Sequence, residues 1–171
     1  ELVGERPHGG GLIVFGSHVP KSTTQLAALR ALDSIVAIEL EVAAVLDGSQ
    51  RQDALSRATA AANQALDSGK NALLFTSRML VSGNSQAETL SIGKTVSQAL
   101  MEVVHGINRE PRFVIGKGGI TSSDLATEGM GVRAARVLGQ VLPGVPVWQL
   151  GPGSRWSGVT YIVFPGNVGD D

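Results

Sequence analysis

Four short apolar runs alternate with helix-period segments through the first 130 residues, and this alternation constrains the fold more than any other feature. The runs are "GLIVFG" (11–16), "SIVAIEL" (34–40), "NALLFTSR" (71–78) and "RFVIG" (112–116). None approaches the ~18 apolar residues a membrane helix needs. Their length, branched residues and flanking breakers read as buried strands.

Between them lie helical patterns. After residue 20, Ser22 or Thr23 is a plausible N-cap, with Leu26, Leu29 and Leu32 at helical spacing. In 53–70, Leu55, Ala58, Ala62, Ala65 and Leu66 share one face and Gly69 ends the segment. Ser85-x-x-Glu88 forms a capping box. A long helix follows it, with Val96, Ala99, Leu100, Val103, Val104 and Ile107 on its apolar face. Thr121-x-x-Asp124 resembles another helix start. Beyond Gly131 the pattern turns to strands at 132–141, 145–151 and 159–166. The expected fold is therefore α/β: a mainly parallel sheet with helices on both faces and a β-rich C-terminal edge that could add antiparallel strands. Residues 1–10 read as a linker from an upstream domain and 11–171 as one domain.

Ligands of such sheets bind beyond the carboxyl ends of the strands. The expected ends carry Gly16-Ser17, Thr76-Ser77-Arg78, Gly116–Thr121 and Gly151-Pro152-Gly153, all rich in glycine or hydroxyls. The most telling is "GKGGITSSD" (116–124). Glycine lets backbone N–H groups approach phosphate, and a helix start adds unpaired donors. Lys117 and the hydroxyls of Thr121, Ser122 and Ser123 suit the same ligand. The same residues also suit a glycine turn followed by an ordinary N-cap. "GSHVPKS" (16–22) is not a P-loop, because Lys21 comes one residue early and Pro20 stands where the second glycine belongs.

Composition removes several alternatives. Charged residues are 17% of the chain and the net charge is −1, so no general basic surface for nucleic acid is expected. The absence of cysteine excludes thiolate metal sites and a cysteine nucleophile, and agrees with a cytoplasmic protein. His8, His18 and His105 show no metal-ligand spacing, and no metal site is expected. Asp170 and Asp171 could face Mg²⁺, although terminal acids are usually solvated. Trp148 and Trp156 flank the "GPGSR" loop and read as core or rim packing rather than cover for an adenine ring. Arg155 in that loop could bind phosphate or pair with a surface acid.

Together, "GSHVPKSTTQL", "FTSR", "FVIGKGGITSSDLAT", "GVPVWQLGPGSR" and "YIVFPGNVGDD" resemble the C-terminal nucleotide-binding domain of the four-carbon acid sugar kinase family, in the branch fused to dehydrogenase or aldolase modules. The resemblance runs from about Gly11 to Asp171. It implies an ATP-dependent, Mg²⁺-assisted kinase of threonate, erythronate or 2-oxo and 3-oxo tetronates. In such a kinase an N-terminal domain with a D-D-x-T-G motif holds the sugar acid. That motif is absent here, so this chain alone is expected to be inactive and its catalytic base is unassigned. Carried over, the ATP contacts fall on Ser17, Gly118, Gly119, Ile120, Thr121 and Gly166, with Lys117 and Arg155 as phosphate helpers. Many members have G-S-C-S where this chain has Gly16-Ser17-His18-Val19, and Glu where it has Ile120. The expected partners are ATP and, through the missing domain, a sugar acid. A homodimer is compatible with this reading; nucleic acid and membrane are not expected. The alternative is a non-catalytic nucleotide or phosphosugar sensor within a multidomain protein.

Overall fold

A computed structural model describes residues 9–79 and 81–169. Seven strands form one sheet: β1 (Leu12–Phe15), β2 (Ile35–Leu40), β3 (Asn71–Thr76), β4 (Phe113–Lys117), β5 (Ala135–Leu142), β6 (Val145–Leu150) and β7 (Thr160–Phe164). Their order across the sheet is β2-β3-β1-β4-β7-β6-β5. The first five in that order are mutually parallel. β6 runs antiparallel to β7 and to β5. The α/β class, the parallel core and the β-rich edge are as expected.

Period-two alternation within the central strands feeds two cores. Ile13 and Phe15 of β1 meet Leu73 and Phe75 of β3 under Leu26 of α1 (Pro20–Arg30). Leu12, Val14, Ala72, Leu74 and Val114 face the other way. There they pack against α2 (Val42–Leu46), α3 (Arg51–Asp67) and α4 (Gln86–His105). Ala58, Ala62 and Ala65 keep α3 close to the sheet, while Leu100, Val103 and Val104 fill the space under α4. β5 is the outer strand beside β6 and is largely exposed.

Helix starts depart from expectation where glycine or proline decides them. Ser22 and Thr23 do not cap α1. The helix begins at Pro20, whose fixed φ suits the first turn and whose missing N–H costs nothing there. Ser85 does cap α4, accepting from the Glu88 N–H at 3.1 Å, and the Glu88 carboxylate accepts from the Asn84 N–H at 2.7 Å. α5 (Gly119–Asp124) begins after Gly118, whose φ of 110° only glycine adopts readily, so Thr121 and Ser122 lie inside the helix rather than capping it. A π-helical turn, Leu125–Gly129, continues it. Residues 1–8, Asp170 and Asp171 lie outside the described residues, so most of the expected linker and the terminal acids are left aside. Gly10, within that expected linker, is buried, and its carbonyl accepts from the Arg112 N–H at 2.9 Å.

Candidate nucleotide site

Because β1, β4 and β7 are parallel neighbours, the loops that leave their carboxyl ends are forced together. Residues far apart in sequence meet there. A Cβ on Gly118 would lie 2.9 Å from Cβ of Ser17, and one on Gly166 would lie 2.9 Å from Oγ of Ser17. A Cβ on Gly16 would lie 2.1 Å from Oγ1 of Thr121. The glycines are therefore required by contact between loops. Gly119 faces open space, Ile120 is 77% exposed, and Thr121 is buried. The structure thus brings Ser17, Gly118, Thr121 and Gly166 together, with Gly119 and Ile120 on the open side.

Hydrogen bonds lace the three loops. The Gly118 N–H donates to the Phe164 carbonyl at 2.8 Å, and the Ser122 N–H donates to the Gly118 carbonyl at 2.8 Å. The N–H groups of 119–121 open the helix and so have no intrahelical acceptor. Oγ of Ser22 lies 3.0 Å from Oγ of Ser17 and 2.9 Å from the Gly166 carbonyl. Ser22 is therefore a fully buried tie between loops, a role its proximity to Lys21 did not reveal. Oγ of Ser122 donates to the Gly116 carbonyl at 2.6 Å, and the Tyr161 hydroxyl donates to the Ser122 carbonyl at 2.7 Å. Burial pushes the Tyr161 phenol well above its usual pKa, which keeps it a neutral donor.

Both expected phosphate helpers have other work. Lys117 is 2% exposed. Its Nζ donates to the carbonyls of Pro165 at 2.6 Å, Val168 at 3.3 Å and Gly166 at 3.4 Å, and lies 4.2 Å from the Phe164 ring centre. It clamps the last loop to β4 instead of standing free beside Gly118. Burial, and then the nearby charge of Lys21, pull its pKa down to about 8. Arg155 is at the opposite rim. It follows β6, which runs against the other strands of the site. Its Nη2 donates at 2.6 Å to the carbonyl of Ile107, beyond the C-terminus of α4, and its guanidinium stacks 5.2 Å from the Trp156 ring. The 20-residue α4, about 30 Å long, separates that end from the cradle. The Gly151–Gly153 loop is excluded from the site for the same reason. Trp156 is buried in the core, and Trp148 stands edge-on to Tyr161 at 5.9 Å.

Two further residues line the parallel carboxyl rim. The His18 ring nitrogens lie 3.2 Å from the carbonyls of Gly16 and Ser77. Arg78 follows β3, and its Nη2 donates to Oγ1 of Thr23 at 2.7 Å. Its Nε and Nη1 are buried and have no hydrogen-bond partner among the described residues. Burial lowers its pKa from the ordinary arginine value. The sequence marked it as the last residue of the expected strand end Thr76-Ser77-Arg78.

A cavity of about 490 Å³ opens beside the cradle, between the carboxyl rim and the N-terminal half of α4. A second, of about 510 Å³, lies on the other side of α5 next to Trp148. No group of three or more metal-ligating side chains is found among the described residues. No helix among them is long and apolar enough to cross a membrane.

Comparison with known structures and families places the fold. Residues 12–171 match the family model of the nucleotide-binding C-terminal domain. The fold is similar to a domain of unknown function (DUF1537) protein from Bordetella bronchiseptica, crystallised with citrate as a domain-swapped dimer, at 18% identity and a TM-score of 0.73. It is similar at 19% identity and a TM-score of 0.73 to a Salmonella typhimurium LT2 protein provisionally named a tRNA synthase. In both cases the match covers 95% of this chain but only 38% of the neighbour. A search of curated proteins finds no match. At these identities the neighbours speak to fold alone. The family model spans nearly the whole chain, and on that ground the chain belongs to the nucleotide-binding C-terminal domains, as its resemblance to the four-carbon acid sugar kinase family implied.

Proposed function

We propose that this domain binds ATP across the carboxyl rim of β1, β4 and β7, as the nucleotide-binding half of a kinase that phosphorylates four-carbon sugar acids. The observation that carries the reading is the convergence of Ser17, Gly118, Thr121 and Gly166 from three loops, with glycine wherever a Cβ would close the gap.

Phosphoryl transfer is mostly positioning and neutralisation of oxygens. The N–H groups of 119–121 and the Thr121 hydroxyl would donate to phosphate oxygens, and Ser17 and Gly166 would bound the other side. Mg²⁺ would arrive with the nucleotide, since the described residues offer no acidic cluster for it. The sugar acid and the base for its hydroxyl proton would come from a separate domain. The neighbours' much greater length is consistent with this, because the chain spans 38% of them. A cytoplasmic location and a homodimer belong to the same proposal.

Calorimetric titration of the chain with ATP, ADP and a four-carbon sugar phosphate tests the reading. Saturable heat with both adenine nucleotides is expected. Heat with the sugar phosphate alone would overturn it in favour of a phosphosugar sensor.

A further inference from the structure

We infer that the cavity of about 490 Å³ beside the cradle is a nucleoside pocket, holding the base and ribose of the nucleotide whose phosphates rest on 118–121. This deepens the nucleotide reading and rests on it. The cavity and the cradle share walls, because Gly16, Ile120 and Thr121 line both. Its size falls within the ~300–1,000 Å³ typical of small-molecule sites.

The lining is chemically divided. Val42, Leu90, Val96 and Leu100 supply an apolar surface suited to a planar base. Thr76 also lines the cavity. It is 1% exposed, and its hydroxyl has no hydrogen-bond partner among the described residues. Buried hydroxyls are almost always paired, so this one points to a polar atom supplied from outside the protein. The heteroatom edge of a base provides such an atom.

Asp124 lies one turn beyond Thr121 on the same face of α5 and also lines the cavity. Its carboxylate accepts from Oγ of Ser97, which fixes its orientation and leaves further lone pairs. In a nucleotide the ribose links the base to the 5′-phosphates, so its 2′,3′-diol is carried on the ring between them. An acceptor one helical turn from the cradle is placed for that diol. Gly93 of α4 also lines the cavity, and a Cβ there would meet nothing within 4 Å, so the space beside it is open.

The second cavity fits less well. Ser122, which lines it, is already occupied by Gly116 and Tyr161, and no buried unpaired side-chain atom among the described residues lines that cavity.

The test is calorimetry on the 171-residue chain with ADP and with tripolyphosphate, which carries the phosphates alone. Gly93→Trp fills the cavity from an open helical position. Thr76→Val removes only the unpaired hydroxyl. Thr127→Trp fills the second cavity as a control. Wild type is expected to bind ADP at least ~10-fold tighter than tripolyphosphate. Gly93→Trp and Thr76→Val should each weaken ADP by ~10-fold or more while leaving tripolyphosphate within ~2-fold. Thr127→Trp should leave both unchanged. Unchanged ADP affinity in both cavity variants, or loss of ADP binding in Thr127→Trp instead, overturns the pocket and leaves the nucleotide reading standing. Wild type that is folded by circular dichroism yet binds neither ligand overturns both.

Discussion

The two glycine-rich rims of the sheet make an instructive pair. The 116–121 loop and the 151–155 loop are close in composition: each follows an apolar strand and combines two or more glycines with a hydroxyl and a cation. Yet the first packs against Ser17 and Gly166 beside an open cavity, while the second ties β6 to the far end of α4. Strand direction makes the difference. β4 runs parallel to β1 and β7, so its loop meets theirs; β6 runs the other way. A glycine loop is thus a site only at the rim where several like loops converge.

Substitutions on both rims can break this comparison. The largest effect is expected from Gly118→Ala, which combines a φ of 110° with a Cβ 2.9 Å from Ser17. Denaturant unfolding should show a loss of about 1–3 kcal/mol, and ADP binding should be lost with it. Gly153→Ala also has a positive φ, 84°, but open space around its Cβ. It should cost about 1 kcal/mol and leave nucleotide affinity intact. Equal loss of affinity in both variants would contradict the distinction.

Polar contacts come next. Thr121→Val should weaken ATP about tenfold in calorimetry with little change in thermal midpoint. Arg155→Met should do the reverse, losing its bond to Ile107 and its stacking on Trp156, about 1–2 kcal/mol, with affinity unchanged. Ser22→Ala removes the tie among Ser17, Gly166 and α1, and a chemical-denaturation midpoint should report about 1–2 kcal/mol.

The smallest effect is a slope with pH. Lys117 has a folded pKa near 8 against an ordinary 10.5. Between those values the unfolded chain binds more protons than the folded one, so this group makes stability rise as pH rises through that window. Below about pH 8 the ammonium is charged in both states and its burial weakens the fold most. Unfolding of wild type and Lys117→Met between pH 7 and 11 should show that rise in wild type only. A flat difference between the two would mean that the carbonyls of 165–168 fully compensate the buried charge.

Much of this was legible because local patterns carried it. The runs at 12–15, 71–76 and 113–117 are buried strands whose apolar residues could hardly be placed elsewhere, and Ser85 with Glu88 marked α4 correctly. Helix α2 was missed because its five residues hold too little periodicity. The destinations of Lys117 and Arg155 could not be read, since each depends on which distant segments the sheet brings alongside. The same long-range pairing hid the role of Ser22, which looked like a cap. Ser17, Gly118 and Thr121 stood at expected strand ends, and the family resemblance joined Gly166 to them. Their convergence became a physical fact only with the order β1-β4-β7.

The most direct test of the central claim is amide NMR during ADP titration. Saturable shifts are expected at the N–H groups of Gly119, Ile120 and Thr121, with those of Gly153, Ser154 and Arg155 unmoved. Saturable shifts confined to the 153–155 amides, with 119–121 silent, would contradict it.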